Sequence, residues 1–287
     1  AILEQVDVFV FDIQTIACRA YTYVSTLRLL MEACATAGRT LIVADRPDPL
    51  MLTPPDGPQL VPAHASFVGL VPTPFCYGLT PAETALFLRD ALQLSTLDLR
   101  VAPCRNLSRK QTLQQIFPQW RATSPAIVTL ENALCFPVTV FLEALPLLDH
   151  ARGTPLAFQR IGSAHADISQ LALPPLPGPR VTPTEYPDKT GRTLPGLALA
   201  VTDPAQFRPA AAAHTLITAL ERQLSESVTG TGAAQDLDTG IIERAEALVR
   251  DLERVRPVEK KLILALARTV KKHDEFLATL GMEKDGE

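Results

Sequence analysis

Two short apolar runs, separated by a helical stretch, set the pattern at the start of the chain. Val6-Asp7-Val8-Phe9-Val10-Phe11 is rich in β-branched and aromatic residues and is closed by Asp12-Ile13-Gln14. Thr40-Leu41-Ile42-Val43-Ala44 is the second run, closed by Asp45-Arg46-Pro47. Both carry the signature of strands. Between them Tyr23, Leu27, Leu30, Met31 and Cys34 recur at spacings of three and four, which predicts a helix. Gly38 stands where a glycine ends such a helix. The segment therefore reads as a β-α-β unit with parallel, neighbouring strands. The polar residues Asp12, Gln14, Asp45 and Arg46 then fall at the carboxyl ends of both strands, the edge where open parallel sheets form ligand crevices.

Further on, the residues before the prolines of 47–65 are pushed out of the helical region, which predicts an extended loop. Ser66–Val71 and Thr73–Tyr77 read as short strands or strand-like rim segments. Thr80-Pro81-Ala82-Glu83 has the form of a capping box with Pro at the first helical position, opening a helix to about Leu94. Leu97–Ala102 reads as a strand, Ser108–Ile116 as a short helix, Thr129–Phe136 as a helix and Val138–Leu142 as a strand. Leu173–Pro179, with four prolines, predicts a linker and a domain boundary. Beyond it, Leu197–Thr202 reads as a strand and Pro209–Leu224 as a helix. Two charged amphipathic helices are expected near Leu237–Val255 and Pro257–Leu280. The expected fold class is α/β: a Rossmann-like parallel-sheet domain over 1–172, a smaller α+β auxiliary domain over 181–236, and a helical tail over 237–287. The crevice is expected to face the domain junction.

Composition narrows the function classes. With 287 residues, 47% hydrophobic and 20% charged, the chain can bury a large core. A net charge of −4 and a pI near 5.8 argue against a nucleic-acid binder, which needs a basic face. No apolar stretch approaches the roughly 18 residues of a spanning helix. The chain begins without Met, almost inside a strand, so an upstream segment is expected and the missing leader says nothing of compartment. The five cysteines have no C-x-x-C spacing and read as buried thiols. The histidines lack H-x-x-x-H and H-E-x-x-H spacing, which argues against zinc. There is no G-x-S-x-G elbow and no Gly-rich phosphate loop.

An ordered series of motifs resembles the DUF1343 or YbbC-like family, which includes exo-β-N-acetylmuramidases of the NamZ type. The family pattern D-V-L-V-F-D-I-Q-D-V-G-x-R-F-Y-T-Y-x-S-T-L is matched by Asp7–Gln14, Arg19, Tyr21-Thr22-Tyr23 and Ser25-Thr26-Leu27. Asp45–Leu50 resembles D-R-P-N-P-L, Ser66–Gly69 resembles S-F-V-G, and Gly78-Leu79-Thr80 with Glu83 resembles H-G-L-T-x-G-E. Ser124-Pro125, Glu143 and Arg152-Gly153-Thr154 echo S-P-N-I-P and E-G-T-N…G-R-G-T, and Thr182-Pro183-Thr184, Val201-Thr202-Asp203 and Phe207-Arg208-Pro209 continue the series. The chain departs from the pattern at polar and Gly positions: Thr15-Ile16-Ala17 stands for Asp-Val-Gly, Tyr77 for a histidine, and Ala144-Leu145-Pro146 for Gly-Thr-Asn. The family's upstream S-P-E-H-G segment, associated with the active site, is not among these residues.

The resemblance implies removal of terminal N-acetylmuramic acid from peptidoglycan fragments, in the periplasm or cell envelope, with no metal or organic cofactor. Glycosidases of this kind use one carboxyl to protonate the glycosidic oxygen and a second group at the anomeric carbon. Asp12 and Glu143 are the catalytic candidates, Glu143 because it follows an apolar segment read as a strand. Asp12 and Asp45 can equally cap the turns that follow them. Arg19 can bind a lactyl carboxylate or pair with Asp12; Arg152 can hold an anion or order its loop. Tyr21 and Tyr23 are expected on different sides of the helix start, one toward the crevice. Gln14, Asp45, Arg46 and Thr154 complete the substrate-binding set. Glu83 is explained by its cap. The tail over 237–280 is a candidate for packing on its own domain, for docking a protein partner or, as the weaker reading, for lying on a membrane surface. A second functional class stays open: a homologue that has lost catalysis and serves as a cell-envelope scaffold.

Overall fold

In the first sheet β1 (Val8–Phe11) pairs with β2 (Thr40–Ala44), and β2 with β3 (Leu99–Ala102), all parallel and in the order β1-β2-β3. This is a computed structural model, and it describes residues 2–145 and 147–231. The tail expected over 237–287 lies outside the described residues. A short α1 (Ile2–Gln5) precedes the sheet, and α2 (Tyr23–Ala37) joins β1 to β2. Val24, Leu27, Met31 and Cys34 of α2 are fully buried, so the three-and-four spacing marks the core face. Gly38 ends α2 at φ 62°, its N–H donating to Cys34 O. The second crossover holds α3 (Pro81–Ala91), whose capping box forms as the sequence predicts: Thr80 Oγ1 accepts from Glu83 N and Glu83 Oε2 accepts from Thr80 N.

The described residues divide into two units. One comprises 2–55 and 59–118, the other Asp56–Pro58 and 119–231. In the second unit β4 (Arg160–Gly162), β5 (Pro179–Pro187) and β6 (Thr193–Val201) form an antiparallel sheet in the order β4-β6-β5. It also holds α5 (Leu130–Thr139) and α6 (Pro209–Thr231). The α/β class with a second, smaller sheet domain is therefore as expected, while three local expectations change.

The domain boundary expected near 172 does not coincide with this division. Residues 119–172 belong to the second unit and supply a strand to its sheet. The Pro-rich segment is not a spacer: Pro179 opens β5, Arg208 N donates to Pro177 O (3.0 Å), and a Cβ on Gly178 would lie 2.5 Å from Phe207 Cα. Prolines 179, 183 and 187 sit on an edge strand, where a missing N–H removes no ladder bond.

Val138–Leu142 is not a strand. The helix α5 runs through it to Thr139 and tightens into a 3₁₀ turn over Val140–Ala144. A buried apolar run has the same composition in either conformation. The cap decides: Asn132 Oδ1 accepts from Val128 N (3.0 Å) and Thr129 N (2.7 Å), starting a helix that Pro137 does not break. Third, Ser108–Ile116 shortens to α4 (Leu113–Ile116). Ser108 Oγ accepts from Lys110 N (3.2 Å) in a local turn, so the helix begins only after Thr112.

Gly196 on β6 marks the tightest approach in the second sheet: a Cβ there would lie 2.1 Å from Ile161 O on the neighbouring strand. Backbone cannot rotate away as a side chain can. We expect Gly196→Ala to lower stability by about 1–3 kcal/mol or more, read by urea denaturation; an unchanged midpoint contradicts the close packing of β4 on β6.

Candidate functional site

The register of the first sheet sets the geometry. Phe11 lies opposite Val43, so Asp12 and Asp45 leave the sheet at the same, carboxyl edge. Asp12 is exposed, and its Oδ1 accepts from Arg46 Nε (2.8 Å) and Nη2 (2.6 Å). Gln14 Nε2 donates to Pro47 O (2.8 Å), tying the loop after β1 to the loop after β2. Asp45 Oδ1 accepts from Ala82 N (2.9 Å) in the first turn of α3. That position complements the helix dipole as well as an otherwise unmet donor. Asp12, Gln14, Asp45 and Arg46 are thus brought together as the strand ends predict.

A buried polar layer lies in the same loops. Asp48 is fully buried; Thr15 Oγ1 donates to its Oδ2 (2.7 Å) and Leu50 N to its Oδ1 (3.0 Å). Burial pushes its carboxyl up to about 7, against the pull of those hydrogen bonds, and the charge of Asp45 adds to the rise. Tyr77, also buried, lies within electrostatic reach of Asp48, and burial raises its phenol well above the ordinary value. Glu83 is buried and receives two bonds from Arg109, Nη1 to Oε1 (2.7 Å) and Nη2 to Oε2 (2.6 Å), besides serving its cap. Burial pushes the Cys104 thiol up to about 12, with the neighbouring Asp45 carboxylate contributing.

Several expected roles change. Arg19 is buried and donates to Thr73 O (2.6 Å) rather than pairing with Asp12, whose partner is Arg46. Desolvation lowers its pKa. Tyr21 precedes the first residue of α2, so the two tyrosines do not diverge as helical neighbours would. Their rings meet edge to face, with centroids 5.0 Å apart. Glu143 does not end a strand: it is an exposed residue of the 3₁₀ turn in the second unit, ion-paired with Arg152, with His150 Nε2 at 3.7 Å. Thr154 closes a turn, its hydroxyl donating to Ala151 O (2.8 Å) and accepting from Leu156 N (3.1 Å). Sequence assigns no site role to Asp48, Arg109 or Cys104, and marks Tyr77 only as a departure from the family pattern. Asp48 between two prolines carries a turn signal, Leu50 N being two residues on, but Arg109 has none. Among the described residues, no group of three or more His, Cys, Asp or Glu is placed to hold a metal ion.

Residues 1–131 match the family model described as "Exo-beta-N-acetylmuramidase NamZ, N-terminal", and residues 134–272 match "Exo-beta-N-acetylmuramidase NamZ, C-terminal". The chain belongs to the NamZ family. The peptidoglycan beta-N-acetylmuramidase NamZ of Bacillus subtilis (strain 168) is 33% identical over 214 residues, covering 71% of this chain and 51% of that protein. The chain thus spans about half the length of this curated NamZ relative. Two crystal structures of DUF1343 family proteins from Bacteroides fragilis share the NamZ-family fold. One has a TM-score of 0.74 at 25% identity, covering 93% of this chain and 74% of the other. The second has 0.59 at 21%, covering 94% and 76%. The junction between the two NamZ models, like the division of the structure, falls well before residue 172.

Two stability predictions follow from the buried layer. Arg109→Met leaves Glu83 charged and unpaired in the interior, and we expect a loss of about 3–5 kcal/mol in urea denaturation; a loss below about 1 kcal/mol means that the cap alone holds Glu83. The second concerns Asp48. The folded protein holds its proton up to about 7, whereas an unfolded Asp releases it near 3.9. The unfolded state therefore binds fewer protons between those values, and this group's contribution to stability falls as pH rises through the window. Asp48→Asn cannot ionise. Relative to the wild type it is expected to gain on the order of 2–4 kcal/mol between pH 4 and 7; parallel stability profiles of the two proteins rule this out.

Proposed function

We propose that this chain belongs to a glycoside hydrolase of the cell envelope that removes terminal N-acetylmuramic acid from peptidoglycan fragments. The observation that carries the reading is the match to both halves of the NamZ family in order, over 1–131 and 134–272, joined to 33% identity with a peptidoglycan beta-N-acetylmuramidase. The site geometry supports it in one respect. Asp12 is exposed at the carboxyl edge of a parallel sheet, with Arg46 holding its Oδ1. In this reading Asp12 is a carboxyl of the hydrolysis; Glu143, on the second unit, is a candidate tested by itself. Gln14 and Arg46 border the sugar, and Asp45 orders the rim. The Arg19 guanidinium stands behind the rim as a buried positive charge, with Tyr21 and Tyr23 beside the start of α2.

Among the described residues no helix is long and apolar enough to cross a membrane. The comparisons favour hydrolysis over a purely scaffolding role.

The test is hydrolysis of a chromogenic β-N-acetylmuramide by the protein in its full natural length. We expect chromophore release, reduced about 100-fold or more in kcat/KM by Asp12→Asn and by Glu143→Gln, with circular dichroism unchanged. A variant that retains full activity removes its residue from the mechanism. No release by the wild type, on this glycoside or on peptidoglycan fragments with a terminal muramic acid, overturns the proposal.

A further inference from the structure

Cys18 and Cys76 face each other across an isolated antiparallel bridge between the loop after β1 and the segment before α3. The flanking hydrogen bonds are Arg19 N to Phe75 O (2.8 Å) and Tyr77 N to Ala17 O (3.0 Å). That pattern makes Cys18 and Cys76 the non-hydrogen-bonded pair, the closer of the two kinds, with Cα atoms typically about 4.5 Å apart. A disulfide spans Cα separations of roughly 4.4–6.8 Å. Side chains of such a pair stand on the same side of the bridge. A second observation agrees. Both cysteines lie within electrostatic reach of the Arg19 guanidinium and of the Tyr77 phenol, so the two sulfurs lie in one neighbourhood. Both residues are buried, at 0% and 1% exposure, so each sulfur is held within a packed interior. All five cysteines are thiols in this structure. Cys34, Cys104 and Cys135 have no such cross-strand cysteine among the described bridges.

We propose that Cys18 and Cys76 form a disulfide that staples the two loops carrying the buried polar layer. Formation is by thiol–disulfide exchange with an external disulfide. One cysteine thiolate attacks a sulfur of the oxidant, forming a mixed disulfide and releasing one thiol. The second cysteine thiolate then attacks the mixed disulfide, forming the Cys18–Cys76 bond and releasing a second thiol. The two protons given up by the cysteines end on the two released thiols; the cysteines are oxidised and the external disulfide is reduced. The cross-link ties Thr15, Ala17 and Arg19 on one loop to Tyr77, Gly78 and Thr80 on the other. It restricts the unfolded chain because the two cysteines are far apart in sequence.

The protein is refolded from urea in buffer containing glutathione disulfide and reduced glutathione, so that burial does not shield the thiols, then alkylated and digested with trypsin. Each cysteine falls in a different tryptic peptide: Cys18 in the one ending at Arg19, Cys34 in 29–39, Cys76 in 40–89, Cys104 in 101–105 and Cys135 in 122–152. We expect a linked species joining the peptide that ends at Arg19 to 40–89, an intact mass lower by two hydrogens, and a melting temperature several degrees above that of the reduced protein. Cys34→Ser keeps the linked peptide, while Cys18→Ala and Cys76→Ser abolish it. Recovery of both peptides alkylated, of glutathione adducts only, or of a link to Cys34, Cys104 or Cys135 overturns the proposal. The wild-type peptide map decides the matter even if a variant fails to fold.

Discussion

Backbone N–H groups that no ladder reaches are the constraint on which this structure turns. The chain carries 25 prolines, and the segments that leave the parallel sheet are irregular. A buried donor left without an acceptor is costly. Here side-chain oxygens supply the acceptors: Asp45 for Ala82 N, Asp48 for Leu50 N, Glu83 for Thr80 N, Asn132 for Val128 N and Thr129 N, and Asp149 for Ala151 N. Burying these carboxyls has its own penalty, met in different ways. Glu83 stays paired with Arg109, whereas Asp48 holds its proton to about 7.

This division sorts the acidic residues around the sheet's carboxyl edge. Asp45, Asp48 and Glu83 are engaged with backbone, and removing any of them would disturb loops before chemistry. Asp12 differs: it is exposed and it pairs with a side chain, Arg46, that is itself partly exposed. An ion pair of that kind contributes little to stability in water. In the proposed function its value lies in orienting a carboxylate at the sheet's carboxyl edge.

Two of this chain's departures from its family pattern fall in the same loops. Ala17 replaces the pattern's glycine yet keeps φ at 44°, a conformation that a side chain resists. Ala17 O accepts from Tyr77 N, and Tyr77 stands at the pattern's histidine. The two replaced positions are therefore hydrogen-bonded neighbours, flanking the Cys18–Cys76 bridge. These two changes meet where two loops touch, while the strands and helices that carry those loops follow the pattern.

The β-α-β unit, its parallel pairing, the capping box of α3 and the gathering of Asp12, Gln14, Asp45 and Arg46 at one edge were legible in the sequence. Each depends on local periodicity or on the fixed direction of parallel strands. The helix through Pro137 and the extent of the second unit were not legible, because a buried apolar run and a Pro-rich stretch read alike in more than one context. Nor was the partner of any charged group separated by more than a turn or two: Arg46 for Asp12, Arg109 for Glu83, Thr73 O for Arg19. Short-range order follows from side-chain shape and spacing along the chain. Which buried charge meets which partner is settled only when distant loops are packed into one low-dielectric interior, where an unmatched group cannot be left.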